Sequence, residues 1–157
     1  MVELKDSIEI RTSVNLLYEW LLDLDKHFVE WHPNHKVFEF VSKGKEIGDK
    51  IYFEEEVNGV LYAIKGEIID LAKTKDSFNV AFKTSAGLGH IYFMGKETYS
   101  GCVFTHVEQF GLSTPIIGNV INFLLFKVLA RKKANWNLIL TDMREDNKRL
   151  KELLEKQ

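Results

Sequence analysis

The chain has 157 residues, of which 45% are hydrophobic and 28% are charged, and its formal net charge at pH 7 is −2. A chain of this length buries about two-thirds of its unfolded surface, so we expect a single domain that spans residues 1–157. The 21 Lys and Arg side chains are balanced by 23 Asp and Glu side chains; this argues against a nucleic-acid-binding protein, because such proteins carry a basic surface.

The N-terminal part of the sequence predicts one strand followed by two short helices. Residues 2–10 alternate apolar and charged side chains, the pattern of a strand with one face on a core, and the apolar positions are Val2, Leu4, Ile8 and Ile10. Ser13 is a suitable N-cap for a helix over "VNLLYEWLLD". A second helix over "DKHFVEW" must end before Pro33, because the residue that precedes a proline is disfavoured in the helical conformation.

The rest of the sequence predicts six more strands and one long helix. The strands cover residues 36–42, 50–57, 60–71, 77–84, 90–99 and 102–112. From about residue 116 to 154, apolar residues recur with helical spacing along a single stripe. Consecutive strands joined by short turns favour an antiparallel sheet, and an amphipathic helix must bury its stripe against one face of that sheet.

This order of elements resembles the helix-grip fold of the START-related SRPBCC superfamily, which includes birch-pollen-type allergens, polyketide cyclases and lipid-transfer domains. The likeness covers the whole chain, and the "FTHVEQFG" segment, the glycine loop and the long closing helix are similar to the polyketide cyclase/dehydrase type. The resemblance implies an α+β protein in which a curved, seven-stranded antiparallel sheet surrounds the long C-terminal helix, with two short helices between strands 1 and 2. It also implies a cavity for a hydrophobic ligand.

Two hairpin turns, Asn58-Gly59 and Ser100-Gly101, predict which side chains face that cavity, because residues opposite one another across a hairpin share a face. They place Glu55, His106 and Glu108 on the apolar face. Charged groups are rarely buried without a partner, so these three side chains must contact a ligand, a metal, water or one another. The predicted ligand-binding wall consists of Phe53, Tyr62, Phe82, Phe93, Phe104, Phe110, Ile121 and Leu124.

The stretch "EWHPNHKVFEF" adds two histidines, His32 and His35, where the second short helix meets the next strand. With Glu55 and His106 they offer the nitrogen and oxygen donors that suit zinc. The "WHPNH" run also resembles the corresponding region of diacetylphloroglucinol hydrolases, zinc enzymes of the same fold that hydrolyse a carbon–carbon bond. That resemblance implies His35 and Glu55 as ligands, whereas the late ligands of that family are spaced further apart than His106 and Glu108.

An alternative interpretation explains the same histidine and glutamate residues without a bound metal. In it, His32 caps the helix end, His35 is a surface residue of the strand, and His106 with Glu108 forms a buried hydrogen-bonded group.

Three functions are therefore open. The first is a domain that binds an apolar or aromatic small molecule, which requires no cofactor. The second is a metal-dependent hydrolase or cyclase with zinc as its cofactor and with His106, Glu108 and Glu55 as catalytic groups; without metal, His106 and Glu108 would act as a general base pair. The third is an interaction module that uses the apolar residues 116–126. We expect a monomer or a homodimer.

The sequence also predicts a cytoplasmic protein without a transmembrane segment. Cys102 is the one cysteine and permits no internal disulfide, and "MVELKDSIEI" lacks the apolar core of a signal peptide. The most apolar stretch, residues 116–130, is shorter than the roughly 20 residues of a membrane span and is interrupted by Asn119, Asn122 and Lys127.

Overall fold

A computed structural model describes residues 1–42, 44–57, 59–112, 122 and 136–156. Its elements, in chain order, are β1 (Val2–Ile10), α1 (Val14–Leu22), α2 (Leu24–Trp31), β2 (His35–Phe40), β3 (Lys50–Val57), β4 (Val60–Lys73), β5 (Ser77–Thr84), β6 (Gly89–Glu97), β7 (Cys102–Phe110) and α3 (Trp136–Leu154).

The seven strands form one antiparallel sheet in the order β1-β7-β6-β5-β4-β3-β2. The N-terminal strand therefore lies beside the last one, and β2 forms the opposite edge. This confirms the predicted α+β architecture, with two short helices between the first two strands. The predicted C-terminal helix is present from Trp136 to Leu154. Its predicted beginning at about residue 116, the apolar stretch 116–126 and the two wall residues Ile121 and Leu124 lie outside the described residues.

Both hairpins have the predicted faces. Val57 pairs with Val60 and Glu55 with Tyr62, as the two-residue loop requires. The β6–β7 loop is longer than predicted, because the last ladder pair joins Glu97 to Cys102 and leaves four residues between them. A four-residue loop preserves the side-chain faces of a two-residue loop, since both lengths are even.

The two short helices begin and end as their sequences predict. Ser13 caps α1: its side-chain oxygen accepts a hydrogen bond from the Leu16 backbone N–H at 3.1 Å. At the end of α2, His32 is extended with φ −144° and ψ 141°, because Pro33 follows it. The chain then enters β2 directly at His35.

The long helix α3 packs against β1, β3, β7 and α2. Trp31 at the end of α2 donates its indole Nε1–H to the Asp146 carbonyl oxygen at 2.8 Å, and Asn147 donates to the Asp6 carboxylate at 2.8 Å. Leu150, fully buried, belongs to the same core as Trp31. No helix among the described residues combines the length and the hydropathy that a membrane crossing requires.

Candidate functional site

A cavity lies where α2, the inner face of the sheet and α3 meet. The volume in which the centre of a water molecule fits is about 30 Å³, enough for roughly two waters. Among the described residues, its apolar and aromatic lining consists of Leu24, Phe28, Trp31, Phe38, Phe53, Phe82, Ile91 and Phe93, and its polar lining consists of His35, Glu55, His106, Glu108 and Asp146.

Part of the predicted ligand-binding wall lies elsewhere in the structure. Phe53, Phe82 and Phe93 line the cavity, and Tyr62, Phe104 and Phe110 do not. All six residues belong to the predicted inner face of the sheet, but sharing a face does not determine how close each side chain lies to the cavity. Phe104 is fully buried behind Phe93, with their ring centres 5.8 Å apart. Phe110, at the far end of β7, packs on Trp136, and Tyr62 is half-exposed near the beginning of β4.

His35 is the first residue of β2, directly opposite Glu55 on β3. It is only 3% exposed and stacks on Phe28 with a ring separation of 4.0 Å, so it is not the surface residue of the reading without metal. Its Nδ1 donates to the Phe28 carbonyl oxygen at 3.0 Å, because a carbonyl oxygen only accepts. The proton of the neutral ring is thereby placed on Nδ1, and Nε2 keeps its lone pair 3.5 Å from an Asp146 carboxylate oxygen.

His106 and Glu108 enter the cavity from the inner face of β7. His106 is 4% exposed, lies opposite Phe93 in the ladder, and has its Nε2 3.3 Å from a Glu108 carboxylate oxygen. Neither ring nitrogen of His106 has a hydrogen-bond partner among the described residues. A buried imidazole without partners costs free energy unless something in the cavity binds it.

Glu55 lies in an acidic environment within the cavity. Burial raises the pKa of its carboxyl well above the ordinary value, and the negative charges of Glu108, Asp146 and Asp142 raise the pKa further. The pKa of Asp142 is raised by burial and by Asp146 in the same way. The protonated form of Glu55 is therefore favoured unless a positive charge enters the cavity.

Asp142 and Asp146, one helical turn apart on α3, are the site residues that the sequence reasoning missed. Asp146 is 6% exposed, lines the cavity, and its Oδ1 has no hydrogen-bond partner within the described part of the chain. A signal was present: between Met143 and Leu150, the buried stripe of α3 continues through Asp146 and Asn147, where apolar residues are expected. Polar residues inside a core stripe indicate a site.

His32 is buried but lies outside the cavity lining. It forms a possible ligand group with Asp142 and Glu145, whose donor atoms lie within 4.8 Å of one another. The backbone N–H of Asn34, however, donates to His32 Nδ1 at 3.2 Å. The proton of the neutral ring is then on Nε2, which lies 3.8 Å from a Glu145 carboxylate oxygen, beyond hydrogen-bond distance. With Nδ1 accepting from Asn34 and Nε2 protonated, the neutral ring offers no free lone pair to a metal.

Comparison with known proteins identifies the fold. No family model matches the sequence, and no curated protein matches it. A Polyketide_cyc-like protein from Corynebacterium glutamicum superposes with a TM-score of 0.60 at 18% identity, over 98% of this chain and 91% of that one. A START superfamily protein from Mycobacterium smegmatis gives 0.63 at 10% identity, over 98% and 97%. Major latex-like protein 151 from Panax ginseng gives 0.65 at 14% identity, over 98% and 97%. The chain thus has the helix-grip fold that these structures share, as the order of its elements predicted.

Proposed function

We propose that this protein binds a small molecule with an aromatic or apolar body in the cavity beneath α2 and α3. The observation that carries the proposal is the combination of six aromatic side chains in the cavity wall with His106 and Asp146, whose buried polar atoms lack partners among the described residues. Apolar walls with a few convergent polar groups are the usual composition of a small-molecule site.

The size of the cavity favours a compact ligand. Its volume of about 30 Å³ is well below the roughly 300–1,000 Å³ of pockets that hold drug-sized ligands. The aromatic walls must therefore separate when a ligand enters, and each added ring or chain segment increases that cost. A single-ring compound is the natural first probe.

Benzyl alcohol is expected to shift the indole N–H signal of Trp31 in a saturable titration followed by ¹H–¹⁵N NMR. Trp31 lines the cavity, and its indole N–H is hydrogen-bonded to Asp146, so the signal reports on both walls of the site. Trp136 packs on Phe110 outside the lining, and its signal should stay in place.

A matched pair of variants tests where the probe binds. Phe93→Leu, in the cavity wall, should change the affinity for benzyl alcohol, whereas Phe78→Leu, equally buried but outside the lining, should not. Trp31→Phe assigns the reporter signal. A titration that moves the Trp136 signal and leaves the Trp31 signal unchanged would contradict binding in this cavity.

Zinc-dependent hydrolysis is a second candidate function, favoured by the orientation of His35. A histidine that ligates a metal usually donates its other ring N–H to a carbonyl or carboxylate, as His35 does to Phe28. Asp146 Oδ1 lies 3.5 Å from His35 Nε2, and the Glu55 carboxyl is opposite His35 on β3, so the donor types suit zinc. The donor atoms of His35, Asp146 and Glu55 are not all within 4.8 Å of one another, so these side chains would have to move closer to bind the metal. Zinc bound there would supply Lewis acidity and activate water. Glu108, beside His106, would orient that imidazole.

Protein expressed with added zinc is expected, on this second reading, to retain about one zinc ion per chain after dialysis. His35→Gln should lower that content severalfold, and His27→Gln should leave it unchanged, because His27 stacks on Trp20 away from the cavity. Elemental analysis of the three proteins, with thermal melting to confirm folding, is the measurement. Wild-type protein without zinc would exclude the hydrolase and leave the binding function in place.

A further inference from the structure

We infer that the ligand of this cavity carries a protonated amine beside its aromatic or apolar body. The inference rests on the ligand-binding function proposed above and names the chemical class of the ligand. Three observations carry it: the balance of charges in the lining, the unpartnered acceptor atom on α3, and the aromatic rings around the polar end.

The lining contains more acids than bases. Three carboxyls, of Glu55, Glu108 and Asp146, face two imidazoles, of His35 and His106, and no lysine or arginine is found among the described lining residues. The charges of Glu108 and Asp146 oppose ionisation of Glu55, and a cation in the cavity would relieve this repulsion. Next to the cavity lie one more carboxyl, of Asp142, which acts on Glu55, and one more imidazole, of His32, whose Nδ1 is 3.9 Å from Asp146 Oδ1. With these two included, four carboxyls face three imidazoles. A carboxylate ligand would be repelled here, and a cation would be attracted.

The hydrogen-bonding capacity of the site matches an ammonium group. An ammonium has three N–H donors and no acceptor. Asp146 Oδ1 is buried and lacks a hydrogen-bond partner in the described chain, and Glu55 and Glu108 provide further carboxylate oxygens on the sheet side. Charge-assisted bonds to such acceptors are about twice as strong as bonds between neutral groups. A neutral hydroxyl ligand could satisfy one of these acceptors and would leave the charge uncompensated.

The surroundings of the carboxyls are aromatic on several sides. Phe28, Trp31, Phe53 and Phe93 line the same cavity, and Phe93 lies 4.7 Å from the His106 ring, next to the acids. Aromatic faces attract cations and also bury the hydrocarbon part of a ligand. An arylalkyl amine therefore uses both parts of the site.

The test uses benzylamine, benzyl alcohol and benzoate, which share one ring and differ in charge. Chelator-dialysed protein is titrated near neutral pH, and the Trp31 indole signal is followed. Benzylamine is expected to bind at least about tenfold more tightly than benzyl alcohol, with benzoate weakest. Glu55→Gln and Asp146→Asn should each remove most of the preference for benzylamine over benzyl alcohol.

The matched control is Glu56→Gln. Glu56 is the next residue of β3, on the opposite face, with its carboxylate 3.8 Å from Lys36, so its replacement should leave benzylamine affinity as it was. Equal affinities for benzylamine and benzyl alcohol would overturn the amine inference and leave the binding function standing, and tighter binding of benzoate would do the same. If none of the three compounds shifts the Trp31 signal saturably, both the inference and the binding function are overturned.

Discussion

Glu55→Gln is expected to make the protein more stable than the wild type near pH 8 and to flatten the dependence of its stability on pH. In the folded protein the Glu55 carboxyl has a pKa well above its ordinary value of 4.5, because desolvation inside the cavity and the neighbouring carboxyls disfavour its ionised form. Between that ordinary value and the raised folded pKa, the folded state binds more protons than the unfolded state. The contribution of Glu55 to the free energy of unfolding is therefore fully present below about pH 4.5 and is lost as pH rises through the folded pKa. The side-chain amide of glutamine does not ionise, so the variant lacks this loss of stability.

Thermal melting of chelator-dialysed protein at pH 5 and pH 8 measures this effect. Because 1 kcal/mol shifts the Tm of a domain of this size by about 2–4 °C, we expect Glu55→Gln to exceed the wild-type Tm near pH 8 by about 3 °C or more and to differ less near pH 5. Glu56→Gln, on the solvent side of the same strand, should follow the wild-type curve. A Glu55→Gln variant that loses stability equally at both pH values would show that the carboxyl is ionised and favourably paired in the folded state.

Phe104→Ala is expected to lower the free energy of unfolding by about 3–5 kcal/mol, the usual cost of removing a phenyl ring from a core. Phe104 is 0% exposed and lies in β7 opposite Ile8 of β1 and Gly95 of β6. Its ring supports Phe93, which in turn forms part of the cavity wall. The variant should therefore also loosen the cavity, although Phe104 does not line it.

Urea unfolding of the wild type, Phe104→Ala and Phe110→Ala provides the comparison. Phe110 is only half-buried, so its replacement removes less apolar contact and should cost clearly less than that of Phe104. A cost below about 1 kcal/mol for Phe104→Ala would mean that the site collapses around the missing ring or that the ring already faces an open space.

The sequence by itself determined the architecture and the direction of most side chains. Alternation along each strand has a period of two, so any even hairpin loop puts Glu55, His106 and Glu108 on the inner face, and the unexpected length of the β6–β7 loop did not matter. The ends of α1 and α2 were equally local, since a capping serine and a proline act on their immediate neighbours.

Only the tertiary structure decided how deep each inward side chain lies and what it meets. Phe93 and Phe104 share a face, but the helices that close over the sheet leave one beside the cavity and bury the other behind it. Asp146 is separated from Glu55 by most of the chain, and no period within a strand or helix relates them. The proton position on His35 follows from a carbonyl on α2 that comes within 3.0 Å only after the chain turns at Pro33. The balance of charges in the cavity depends on such long-range packing, because its acids and histidines come from four separate elements, β2, β3, β7 and α3.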